Sequence, residues 1–417
     1  MKHGYKTLPL SQYTGYVQVF SIQSNIKAMQ QDPFAFTLFL IFTGAAIIAT
    51  IALYARQALL VAYILLGVLL GPSAFGLVTD PVLIKQLSHI GIMFLLFLLG
   101  LNLPLAKLIP LLKETTLVTG LSSLLFAIVG VAVGWGFGFT IIESLIIGAA
   151  LTFSSTIIGL KLLPTTVLHH KRTGEIIISI LLVQDLIAII ILLLLQTAGQ
   201  GSLPWVEIAI RIAALPLLIA TAYVLERFIL IKLIERFDKI QEYIFLLAIA
   251  WCLGFAELAA SAGLSTEIGA FIAGVTLARS PIALFIGEKL KPLRDFFLII
   301  FFFSLGASFD LRMLSSVFVP AILLAAVVLA GKPLVFRWLL RGSGETSGRS
   351  SEVGVRLGQI SEFSLLIAVL ALELNIIGSE ASYTIQLATL LTFIVSSYII
   401  VQRYPTPIAI NDKLRRD

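Results

Sequence analysis

Residues 176–195 read IIISILLVQDLIAIIILLLL, with a single charged side chain, Asp185. A helix of ~20 apolar residues matches the hydrocarbon thickness of a bilayer, and only a helix or a closed barrel satisfies every backbone N–H and C=O there. Similar stretches, bounded by charge, Pro or Gly, lie at 34–54, 58–78, 83–103, 115–139, 141–163, 174–196 and 205–229. Others lie at 242–262, 264–279, 294–310, 314–340, 353–374 and 382–402. They predict an all-α polytopic membrane protein of about 13 transmembrane helices, with 264–279 the shortest. An ordinary soluble enzyme is excluded: 12% of the 417 residues are charged, against about 25% in a soluble domain.

Most of the 29 Lys and Arg residues fall in alternate loops, those after the odd-numbered stretches, and in the C-terminal tail. Positive charge marks the cytoplasmic side. The N-terminus is therefore expected outside and the C-terminus inside, as an odd number of spans requires, in a cell (inner) membrane. The net charge of +6 belongs to those loops, so no nucleic-acid partner is expected. One cysteine, Cys252, excludes an intrachain disulfide. His169 and His170 adjoin Lys171 and Arg172 in a basic loop, which reads as solvated rather than metal-binding. Residues 1–33 read as an extracytoplasmic tail with an interfacial amphipathic helix at 15–28, and 403–417 as a short cytoplasmic tail.

The chain also repeats itself. Gly100 lies over Gly306, Phe153–Thr156 over Gln359–Glu362, and Gly67 over Gly274, at offsets within one residue of each other. Two halves, about 34–196 and 242–402, with 205–229 as linker helix, follow from this spacing. Corresponding elements are seven spans apart, so the halves are inverted in the membrane, a recurrent plan of secondary transporters.

Chemistry is concentrated in few places. A carboxylate at mid-membrane costs about 2.5–3.5 kcal/mol on an insertion scale. Asp185 therefore reads as functional rather than as a packing carboxyl, and a group that alternately holds a proton and a cation exchanges one for the other. Its neighbour Gln184 points about 100° away round the helix and reads equally as ligand or structure. Thr152, Ser154, Ser155 and Thr156, between Gly148 and Gly159, suit a helix that unwinds, where hydroxyls satisfy backbone groups and carbonyl and hydroxyl oxygens face a cation; the alternative is a regular helix with the hydroxyls bonded to the preceding turn. Gln359, Ser361 and Glu362 form the corresponding polar interruption of the twelfth stretch, and are pathway candidates. Lys332, the sole charge between Arg312 and Arg337, is expected either to snorkel or to pair with Asp185. Glu267, near the outer end of the ninth span, is a further pathway candidate, with structural pairing the favoured role. Gly130, Gly134 and Gly138 have small-xxx-small spacing for close helix packing. No Walker loop or HExxH motif occurs, so ATP-driven transport and zinc proteolysis are not expected.

Five stretches together resemble the Kef-type branch of the cation:proton antiporters: LLGVLLGPSAFGL (65–77), MFLLFLLGLNL (93–103), ALTFSSTIIGLKLL (150–163), LLVQDLIAI (181–189) and GLSTEIGAFIAGVTLARS (263–280). The resemblance covers nearly the whole of 34–402. It implies a homodimer with a dimerisation domain and a mobile core, elevator-like alternating access, and crossed broken helices in spans 5 and 12. It implies that Asp185 is the essential acid, with Lys332 as its partner. Transport of a monovalent cation against protons follows, K⁺ favoured by the Gln–Asp pair and Na⁺ second, with no cofactor and no enzymatic activity. Many such proteins carry a C-terminal Rossmann-like regulatory domain. No GxGxxG occurs after position 402, so regulation is expected from a separate cytoplasmic subunit or a missing C-terminal domain. The competing class is a cation channel or sensor in which Asp185 is structural.

Overall fold

The computed structural model describes residues 33–406, apart from 56, 79, 102–104, 164–171, 199–204, 238 and 279–282. The stretch 15–28, His169, His170 and the tail beyond 406 lie outside the described residues.

Among the described residues the repeating structure is entirely helical. Its first half comprises α1 (Pro33–Tyr54), α2 (Leu59–Leu70), α3 (Pro81–Leu101), α4 (Leu105–Gly136), α5 (Ile141–Thr152), α6 (Thr156–Lys161) and α7 (Arg172–Ala198). Then come α8 (Trp205–Leu225), a π-helical turn at Glu226–Leu230, and α9 (Ile231–Arg236). The rest is α10 (Gln241–Ser261), α11 (Thr266–Leu277), α12 (Ala283–Ala307), α13 (Leu314–Gly342), α14 (Ser347–Arg356), α15 (Glu362–Glu373) and α16 (Ser379–Arg403). Among the described residues, six helices are long and apolar enough to cross a bilayer by length and composition. The all-α polytopic reading holds.

Several boundaries differ from the sequence expectation. α4 begins at Leu105 rather than 115, and α12 at Ala283 rather than 294. Both take in charged residues that end an apolar run without ending a helix. The seventh span continues to Arg236 rather than 229, through the π-helical turn. The second stretch, 58–78, is helical only to Leu70, because Gly71, Pro72 and the following turns, with Gly76 at φ 61°, break it. α2 and α11 both have 12 residues, about 18 Å of helix, and they occupy corresponding places in the two halves.

The aligned glycines show why. A Cβ on Gly67 would lie 2.0 Å from Phe303 O, and one on Gly306 would lie 2.0 Å from Ile64 O. One on Gly274 would lie 2.0 Å from Phe97 O, and one on Gly100 2.6 Å from Phe271 O. So α2 crosses α12, and α3 crosses α11, at backbone contact. Exchanging the inverted halves converts one crossing into the other. Gly130 likewise admits Gly148, and Gly134 admits Ser144, at the α4–α5 contact. Gly138 does not belong to that stripe: it lies beyond the helix in a turn, at φ 85° with nothing near its Cβ position.

Packing falls into two groups, α1–α3 with α10–α12, and α4–α7 with α13–α16. One apolar core runs through both, from Ile41 and Leu60 through Phe302 to Ile147, Leu365 and Phe393.

Candidate functional site

Two helices of the second group are broken where they meet. α5 stops at Thr152 and α6 starts at Thr156; α14 stops at Arg356 and α15 starts at Glu362. Each restart has a serine cap. Ser155 Oγ accepts Ile158 N–H at 3.1 Å, and Ser361 Oγ accepts Phe363 N–H at 3.1 Å, so the aligned serines do the same work of satisfying a first-turn donor. The halves pair across the crossing. Ser364 Oγ on α15 donates to Ala150 O on α5 at 2.6 Å, and Arg356 on α14 donates to Leu162 O after α6 at 3.0 Å.

The unwound backbone is closed by side chains. Gln184 Nε2 donates to Thr152 O at 3.0 Å, and its Oε1 accepts Ser154 N–H at 2.9 Å. Ser154 Oγ donates to Leu357 O at 2.9 Å. Gln359 Nε2 donates to Arg356 O at 3.0 Å and to Ser155 O at 3.4 Å. Its Oε1 accepts Ser396 Oγ–H at 3.0 Å, while Thr392 Oγ1 accepts Ile360 N–H at 3.1 Å. Thr152 Oγ1 donates one turn back to Ala149 O. Of the hydroxyls expected to satisfy backbone groups or to face a cation, Ser154 and Ser155 bond backbone groups at the break, where an unwound helix in an apolar medium leaves them in need of partners, and Thr152 bonds the preceding turn.

Lys332 is fully buried. Its Nζ donates to Phe153 O at 2.5 Å, Gln359 O at 2.9 Å and Ser154 Oγ at 3.3 Å. This corrects both expectations for it, since Lys332 neither snorkels nor pairs with Asp185. An ammonium has three donors, and three acceptors at the crossing take them all. The position also suits its charge, because the C-terminal ends of α5 and α14 converge on it with their negative dipole ends. Phe126 closes the pocket, its ring centroid 5.8 Å from Nζ.

Asp185 stands at the opposite pole, 3% exposed. Thr156 Oγ1 donates to its carboxylate at 3.3 and 3.4 Å. Glu362, the first residue of α15, is near enough for the two carboxylates to act on each other electrostatically. Thr156 and Glu362 occupy the same place in the two broken helices, so the repeat brings both to one carboxylate. Of the residues singled out in the sequence, the fold gathers Asp185, Thr156 and Glu362 at one pole. It gathers Ser154, Gln359 and Lys332 at the other, with Gln184, Ser155 and Ser361 holding the breaks.

Glu267 sits apart, at the start of α11. His89 on α3 lies between Glu267 Oε1, at 3.5 Å from Nδ1, and Glu373 Oε2 at the end of α15, at 3.7 Å from Nε2. The three line one end of a cavity of about 140 Å³ that reaches Phe271 and Leu366. Leu366 is one turn beyond Glu362. Sequence reasoning missed His89, Glu373, Ser364, Arg356, Thr392 and Ser396. The last two had a signal: Thr389, Thr392 and Ser396 recur at helical spacing and are buried, a polar stripe on a helix that needs a polar partner.

The transmembrane sodium/hydrogen exchanger family profile matches residues 34–402. The chain belongs to the sodium/hydrogen exchanger family. Exchangers of this family are transporters, not enzymes. The Kef-type resemblance holds: the chain is 28% identical over 373 residues to the glutathione-regulated potassium-efflux protein KefC of Klebsiella pneumoniae, covering 87% of this chain and 59% of that one. It is 27% identical to the putative cation/proton antiporter YbaL of Escherichia coli, over 86% of this chain and 67% of that one. It is also 27% identical to the iron transporter MagA of Paramagnetospirillum magneticum, over 85% and 84%. The chain thus spans about three-fifths of its KefC relative's length. The solved sodium/proton antiporter NhaP1 of Methanocaldococcus jannaschii has the same fold, with a TM-score of 0.63 over 87% of this chain and 95% of that one, at 19% identity.

Proposed function

We propose that this exchanger carries a monovalent cation against protons by alternating access, with Asp185 as the carrier. The observation that carries the reading is the polarised crossing. A buried carboxylate faces a threonine hydroxyl and a second carboxylate, while the other pole is filled by an ammonium bonded to three backbone and hydroxyl oxygens. Lys332 then acts as a fixed charge that holds the unwound carbonyls. Asp185 is left to alternate between a proton and a cation, with Thr156 and Glu362 supplying further oxygen. Hard oxygen ligands suit an alkali cation, K⁺ first by the Gln184–Asp185 pair and Na⁺ second. One carrier acid supports one-for-one, electroneutral exchange.

The cavity bounded by His89, Glu267 and Glu373 lies between the two packing groups, which suits an approach to the carboxylates from that side. In this reading α4–α7 and α13–α16 move as the core against α1–α3 and α10–α12, the repeats run over about 34–196 and 242–402, and the protein is a homodimer. The N-terminus lies outside the cell and the C-terminus inside, and further regulation comes from a separate cytoplasmic subunit or domain.

The test is collapse of a preset pH gradient in proteoliposomes by K⁺, Na⁺ or Li⁺. Wild type should collapse it with K⁺ and Asp185→Asn should not. Cation flux that persists without proton movement would establish the channel reading instead. Exchange that responds to a K⁺-clamped membrane potential would overturn the electroneutral stoichiometry.

A further inference from the structure

We infer that a groove between α4 and α13 is a binding site for an anionic membrane phospholipid. The groove, of about 770 Å³, is lined by Leu117 and Leu121 of α4 and by Leu334, Arg337, Trp338 and Arg341 of α13, among others. These side chains are arranged by height. Leu334, Arg337, Trp338 and Arg341 share one face of α13 at helical spacing, with Arg341 in its last turn. Leu334 lies one turn deeper than Arg337. Leu117, Leu334 and Trp338 are 68%, 65% and 74% exposed, so the groove opens sideways to the bilayer.

Its charge is one-sided. No carboxylate is among its described lining residues. The Arg341 guanidinium has no hydrogen bond or ion pair among the described residues, and Arg337 has only Ser347 Oγ at 3.3 Å. This contrasts with the neighbouring Arg349 and Arg172, which both bond Glu345. Two arginines without a carboxylate partner among the described residues, above an apolar slot, match a phosphate group above acyl chains. Trp338, 74% exposed beside Arg337 on the same helix face, has an indole N–H without a hydrogen bond among the described residues, a donor that a glycerol ester can accept. A basic pocket on the Lys/Arg-rich side of a membrane protein is where anionic headgroups bind.

The groove belongs to α4 and α13 of the second packing group, on its lipid-facing flank. It is separate from the crossing, and a lipid there would travel with those helices.

The experiment is titration of the full chain in detergent with phosphatidylglycerol and with phosphatidylcholine of the same acyl chains, read by native mass spectrometry. Phosphatidylglycerol should bind more tightly to wild type. A basic residue near a headgroup is worth about 1 kcal/mol, or about fivefold in affinity. Arg341→Gln should therefore weaken phosphatidylglycerol about fivefold and Arg337→Gln with Arg341→Gln about 25-fold, leaving phosphatidylcholine unchanged. Lys232→Gln with Arg236→Gln, exposed basic residues of α9 that the loop-charge pattern puts on the same side, should change neither. Equal binding of the two lipids, undiminished phosphatidylglycerol binding in both groove variants, or an equal loss in the Lys232/Arg236 variant would overturn the site.

Discussion

At Lys332, geometry separates two roles that charge counting merges. An ammonium that paired with Asp185 would have to break that pair whenever a cation bound. Here it is bonded to Phe153 O, Gln359 O and Ser154 Oγ, so in the proposed cycle it stays in place while Asp185 changes its occupant. Removing the donors leaves at least two buried carbonyls unsatisfied, at about 1–3 kcal/mol each. Lys332→Met should therefore lose about 2–6 kcal/mol, seen as a large fall in Tm. Lys332→Gln, whose amide keeps two donors, should lose less and retain proton-coupled exchange. Complete loss of exchange in a folded Lys332→Gln protein would return the lysine to the transport step. Asp185→Asn should behave oppositely, with a near-native Tm and no exchange.

For the helices, close approach matters more than hydrophobicity. α3 and α11 touch backbone to backbone because Gly100 and Gly274 carry no Cβ. A methyl on Gly274 would sit 2.0 Å from Phe97 O and 2.9 Å from Leu101 N, and backbone cannot step aside as a flexible side chain can. Gly274→Ala should fail to yield monodisperse protein on size-exclusion chromatography. Gly254 in the middle of α10 meets nothing within 4 Å. There the same substitution relieves the entropic penalty of a helical glycine, so Gly254→Ala should raise stability by about 0.5–1 kcal/mol. The two serine caps should behave alike, Ser155→Ala and Ser361→Ala each losing about 1 kcal/mol.

At the scale of the molecule, two ionic clusters among the described residues join elements far apart in the chain. His89 ties α3 to Glu267 of its own packing group and to Glu373 of the other. The alternating-access motion proposed above would part His89 from Glu373. The imidazolium holds both carboxylates more strongly than the neutral ring, so the tie is firmest in acid. Exchange by His89→Ala should consequently fall less on acidification than exchange by wild type, in initial rates measured from pH 8 to pH 5.5. Identical profiles would remove the tie from the transport cycle. On the opposite side, Glu345 joins Arg172 of α7 to Arg349 of α14. Partial burial pushes its carboxyl up, but the hydrogen bonds from Arg349 and Arg172 outweigh this and hold it below the usual carboxylate range. A depressed folded value stabilises the protein above the ordinary carboxylate range and ceases to do so as pH falls through the folded value. The Tm difference between wild type and Glu345→Gln should therefore be larger at pH 7 than at pH 3.

Hydrophobic periodicity, charge bias and repeat spacing are local properties of a chain in a bilayer. They were enough to read an all-helical polytopic membrane fold and the breaks near 152–156 and 358–362. Ends of helices were less legible, because a run of apolar residues marks the hydrocarbon layer while a helix can continue past it, as α4 and α12 do. Partnerships were the least legible. Whether Lys332 met a carboxylate or a carbonyl, and whether Ser154 turned to an ion or to Leu357 O, depended on which broken ends crossing put within 3 Å. Nothing in linear spacing encodes that distance. The crossing sets it, and the need to satisfy every unwound backbone group away from water selects the partners.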